Sequence, residues 1–145
     1  MGITAIQRPP ARTEAWLWLG AFAVCVGLHL AGALVGWPSK NLPGVEYRQA
    51  QTALSAQFIR LEHNFSLAYP TPVLGKPWSI PLEFPLYQWT VVEISNATGL
   101  GLTKAARVAS LACFYLTLPA IFLLLAQWQV AAGRRWLVLA VVVTC

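Results

Sequence analysis

Aspartate is absent from the chain, and its five acidic residues are all glutamates: Glu14, Glu46, Glu62, Glu83 and Glu93. Any chemistry that needs a carboxylate must draw on those five. Charge of either sign is scarce, at 10% of residues against 57% hydrophobic, and a mean hydropathy of +0.58 lies outside the balance of soluble globular domains. The same numbers exclude intrinsic disorder, which needs low hydrophobicity. Cysteine is rare too. Cys25, Cys113 and Cys145 each sit inside an apolar run, too few for a disulfide scaffold, and behave there as small hydrophobes. His63 has no second His or Asp beside it, so local spacing offers no zinc site. No glycine-rich phosphate loop, nucleophile elbow, metalloprotease His pair or Cys-x-x-Cys site occurs. A net charge of +5 would suit nucleic acid if it were clustered, but the longest basic run is the pair Arg134-Arg135. The excess is better explained as membrane topology, and no nucleic-acid partner is expected.

What the chain does have is long apolar runs. Residues 16–37 carry no formal charge, and at about 1.5 Å of rise per residue they cover a hydrocarbon core of roughly 30 Å. Trp16, Trp18 and Trp37 mark the two ends, where indole meets both lipid and water. Arg8 and Arg12 precede the run as in a signal peptide, but the run is longer than a cleaved leader's core, so a retained anchor is expected. Residues 104–128 form the second crossing, with Thr103 as N-cap and Pro119 as a kink. Residues 136–145 begin a third apolar run whose ten residues make only about 15 Å of helix; the expectation is an N-terminal portion of a longer protein. The predicted fold class is therefore all-α: a polytopic membrane protein with a cytoplasmic N-terminus at 1–15, a cytoplasmic loop at 129–135 and a long external loop at 38–103. Arg8, Arg12, Arg134 and Arg135 then all lie inside.

Within the external loop, Tyr47, Ala50, Leu54, Phe58 and Leu61 recur at helical spacing, with Arg48, Gln51, Thr52 and Ser55 on another face. Residues 45–62 are predicted to form an amphipathic helix lying along the membrane surface. Pro70, Pro72, Pro77 and Pro81 with Gly75 then set an extended, turn-rich stretch. A second short helix follows at about 84–97, with Pro85 in its first turn and Gly99 closing it. Being short and carrying Glu93, it is expected to lie at the surface and not to cross.

Glu46 stands at the mouth of the first of these helices. A carboxylate there is electrostatically favourable in any helix, so a capping role and a role as general base at a membrane face both remain open. Glu83 directly precedes the second helix, where an acid is favourable in any case; a direct role in acceptor or metal binding is the other explanation. Glu93 is expected to pair with Gln88 or Arg107, and His29 to be a packed, hydrogen-bonded residue of the first membrane helix.

The order of these features resembles a known family. An N-terminal anchor is followed by Gly44-Val45-Glu46-Tyr47-Arg48 opening an amphipathic helix. Gly75-Lys76-Pro77 and Glu83-Phe84-Pro85-Leu86-Tyr87-Gln88-Trp89 come next, and then Ala106-Arg107-Val108-Ala109-Ser110 enters a helix. From about Trp16 to Trp128 this is similar to the polytopic C-type glycosyltransferases of glycosyltransferase family 39, the group of the protein O-mannosyltransferases and aminoarabinose transferases. The resemblance implies a hexosyl- or pentosyltransferase that moves a sugar from a polyprenyl-phosphate donor to an acceptor glycan, lipid or protein at the extracytoplasmic face of a bacterial inner membrane, with inversion. It implies Glu46 as the catalytic base, Lys76 and Arg48 as contacts to the donor phosphate, and Glu83 in acceptor or metal binding, with a divalent cation the one cofactor in view. Trp78, Trp89 and Tyr87 would border the lipid tail and sugar. Two other classes stay open from the residues alone: a non-catalytic assembly subunit or transporter part that uses the loop for docking, and a glycan polymerase or ligase whose catalytic groups lie elsewhere.

Overall fold

A computed structural model describes residues 12–38, 46–69 and 84–144. The described residues are helical, with no strand among them. Five helices follow in order: α1 Arg12–Val35, α2 Glu46–Glu62, α3 Leu86–Thr98, α4 Leu102–Gln127 and α5 Ala132–Thr144. They divide into two compact units, one of Met1–Trp37 with Tyr115–Cys145 and the other of Pro38–Phe114.

Thr13–Val35, in the first unit, and Leu102–Gln127, which begins in the second unit and ends in the first, are each long and apolar enough to cross a membrane. Their 23 and 26 residues correspond to about 35 and 39 Å of helix, more than the hydrocarbon core requires. The apolar surface of α1 runs around the helix, and Leu17, Val24, Leu28 and Leu34 are exposed on it, as suits a helix solvated by hydrocarbon. The short α5 lies against α1. Gly133 permits this approach: a Cβ there would stand 3.2 Å from Trp18 Cδ1 and 3.8 Å from the Ala15 Cα. Trp136 fills the next layer, its ring 5.4 Å from Phe22 and 4.8 Å from Phe122. Deeper along α1, His29 Nδ1 and the Tyr115 hydroxyl are joined by a 2.9 Å hydrogen bond. Replacing Gly133 with Val should push α1 and α5 apart at Trp18, at a cost of about 1–3 kcal/mol for an overpacked contact. A lowered thermal midpoint in micelles is the expected readout, and an unchanged midpoint would show that α1 and α5 do not rely on this contact.

Two boundaries differ from the sequence expectation. Arg134 and Arg135 lie in the first turn of α5, not in a loop, and only residues 128–131 separate α4 from α5. Arginine is a good helix former, and the Arg135 Nε donates to the Val130 carbonyl at 2.6 Å while its guanidinium stacks 5.5 Å from the Phe122 ring centre. At the other end, α4 starts at Leu102, with the Lys104 and Ala105 amides donating to Gly101 O, so Thr103 sits inside the first turn and is not the cap.

In the second unit, α2 and α3 pack together with the first half of α4. Ala56, Ile59, Tyr69, Val91, Val92, Ala105 and Ala109 form its core. Each short helix ends by a recognisable device. Gly99 adopts a left-handed φ of 71°, with its amide donating to Ser95 O at 2.9 Å. His63 takes φ 49° after α2, and the Asn64 amide reaches back to Ile59 O at 3.3 Å, a six-to-one closure. Polar groups tie the unit as well: Arg60 donates to Gln57 Oε1 and Ser95 Oγ, and Ser95 Oγ donates to Leu100 O.

The buried stripe of α2 is not the predicted one. Ser55, Ala56 and Ile59 are buried, whereas Leu54 and Leu61 remain 42% and 63% exposed. Residues three and four apart share a helix face, so the stripe through 52, 55, 56 and 59 meets α3, while of the predicted stripe Ala50, Leu54 and Leu61 stay exposed and Phe58 is half-buried.

Candidate functional site

Glu46 is the first residue of α2. The first amides of a helix lack intrahelical acceptors, and the aligned peptide dipoles place partial positive charge there. An anion at this position is stabilised whether it serves structure or chemistry. Arg48 follows two residues later and is exposed on the same first turn. These are the two sequence-predicted site residues that the structure brings onto one element. Lys76, Glu83 and Trp78 lie outside the described residues, and so does most of the proline-rich stretch.

The aromatic residues of α3 divide in their roles. The Tyr87 hydroxyl donates to Ala106 O at 3.0 Å and lies 3.0 Å from Ser110 Oγ, so it is tied to the start of α4 and not held ready for a sugar. Trp89 packs against the core of the unit and meets Phe84 edge-on, with ring centres 5.6 Å apart. Its Nε1 is buried with no hydrogen-bond partner among the described residues. Glu93 is exposed on α3, while Gln88 is buried.

Among the described residues no three His, Cys, Asp or Glu side chains come close enough to share a metal ion. His63 is exposed beyond the end of α2, and its left-handed φ of 49° belongs to the helix termination. His29 has a structural explanation in its bond to Tyr115, a partner 86 residues away that no local spacing could reveal.

Glu14, Trp18, Trp128, Gln129, Arg134 and Leu137 line one open groove of about 1080 Å³ in the first unit. Its sequence signal is a tryptophan at the end of each of two apolar runs, Trp18 and Trp128.

No protein-family model, no curated protein and no solved structure matches this chain.

Proposed function

We propose that the chain belongs to an integral-membrane glycosyltransferase of the C-type, family 39 kind, which moves a sugar from a polyprenyl phosphate to an acceptor at the extracytoplasmic face. In this reading the protein is multi-pass in an inner membrane, and the region between α1 and α4 is its external catalytic loop. The observation that carries the proposal is that Glu46 opens α2, a helix lying in sequence between two helices long enough to span a bilayer.

The chemistry follows from what transfer requires. An acceptor hydroxyl is a weak nucleophile until a carboxylate within hydrogen-bond reach takes its proton. Glu46 takes that role. The hydroxyl oxygen then attacks the anomeric carbon, the bond to the phosphate oxygen breaks, and a single displacement inverts the configuration. The departing phosphate carries the negative charge and needs cations more than it needs an acid. Lys76 and Arg48 supply them.

The proposal is tested at Lys76. In membranes containing the complete protein, a labelled polyprenyl-phosphate sugar should protect Lys76 from amine-reactive acylation. Equal modification with and without donor would remove Lys76 from the site and favour a loop that docks a protein partner.

A further inference from the structure

The groove of about 1080 Å³ beside α1 and α5 is larger than the ordinary small-molecule pocket of roughly 300–1,000 Å³. Its walls are apolar or aromatic, with Leu17, Trp18, Trp128 and Leu137 among them, and it also holds one acid, Glu14, and one base, Arg134. Both charged residues are exposed. The neighbouring Arg135 is already engaged with Val130 O and the Phe122 ring, which leaves Arg134 as the cation that faces the groove among the described residues.

The groove lies at the N-terminal end of α1 and beside Trp128, just past the C-terminal end of α4. If these two helices cross a bilayer, their ends stand at headgroup depth, the level at which tryptophan concentrates. A ligand that fills such a groove must carry an anion, a cation and an apolar body together. We propose that the groove binds a zwitterionic glycerophospholipid bearing a primary ammonium, with its phosphate on Arg134, its ammonium on Glu14 and its upper acyl segment between Leu17 and Leu137. A primary ammonium is favoured over a quaternary one because an ionised carboxylate only accepts hydrogen bonds, and a quaternary nitrogen has none to donate. This rests on the membrane reading of α1 and α4 and is independent of the transfer chemistry.

The test is native mass spectrometry of the chain in micelles, titrated with phosphatidylethanolamine, phosphatidylcholine and phosphatidylglycerol of matched acyl chains. Phosphatidylethanolamine should bind about tenfold more tightly than the other two, as one charge-assisted hydrogen bond allows. Glu14→Gln should erase that preference while leaving phospholipid binding in place, and Arg134→Gln should weaken all three lipids. Both residues are exposed, so neither change disturbs packing, and circular dichroism verifies the helical content. Equal binding of the three lipids, or a preference that survives Glu14→Gln, would overturn the proposal. Extraction of membranes with alkaline carbonate separates the two premises: a chain that stays with the membrane but shows no lipid preference refutes the groove alone, and a chain that is released refutes the membrane reading and the groove with it.

Discussion

Glu46→Gln should reduce sugar transfer by the complete protein about 10²–10⁴-fold, the usual worth of a positioned general base. The amide keeps the shape and the hydrogen-bonding oxygen of the side chain, and it can still sit at the start of α2. It cannot take a proton from the acceptor hydroxyl. Donor binding should therefore be nearly unchanged and the loss should fall on kcat, the signature of an interaction used in the transition state and not in the ground state. That division separates chemistry from capping. An acid that only stabilises the helix would, once neutralised, cost about 0.3–1 kcal/mol of helix stability, visible as a slightly lower unfolding midpoint with turnover intact. Near-normal turnover in Glu46→Gln would end the assignment of Glu46 as base, and with it the strongest link between this chain and lipid-linked sugar transfer.

The helical character of the chain was legible because it depends on local properties. Uncharged runs longer than a bilayer is thick define α1 and most of α4, and Gly99, able to adopt a left-handed φ, marks where α3 stops. What was not legible is which side of a helix meets which partner. Helix α2 carries apolar or small residues on two sides, and periodicity favoured the stripe with Leu54, Phe58 and Leu61, which has the larger side chains. The structure buries Ser55, Ala56 and Ile59 instead, because α3 offers Val91, Val92 and Ser95 as a flat surface of small and β-branched groups. Small residues allow close helix approach, a tertiary property that hydrophobicity alone does not encode. Long-range pairs were out of reach for the same reason: neither His29–Tyr115 nor Arg60–Ser95 leaves a trace in local spacing. For the candidate site, the sequence indicates that Glu46 begins a helix, and the structure agrees on that backbone position. The assembly of Glu46 with Lys76 and Glu83 depends on residues outside the described ones, and there the resemblance remains the argument.

The choice between the two stripes of α2 leads to a second large effect. Ile59 is fully buried, at 0% exposure, whereas Leu61 is 63% exposed, although the two residues are close in sequence and similar in hydrophobicity. Truncating a packed isoleucine to alanine removes its burial and leaves a cavity, together worth about 2–5 kcal/mol. Truncating an exposed leucine ordinarily changes stability by no more than about 0.5 kcal/mol. The second unit is compact in its own right, so the loss should appear as local opening of α2 and α3 and not as collapse of the whole chain. Hydrogen exchange of their amides is the suitable measurement. Ile59→Ala should speed exchange in both helices at least about thirtyfold, while Leu61→Ala should leave it nearly unchanged and instead weaken adsorption to lipid vesicles, since Leu54 and Leu61 are exposed apolar residues of α2. The reverse pattern, with Leu61→Ala opening the unit and Ile59→Ala silent, would mean that the larger side chains form the core after all. Glu46 would then be carried to a different side of the unit, and the face on which an acceptor could meet it would have to be assigned again.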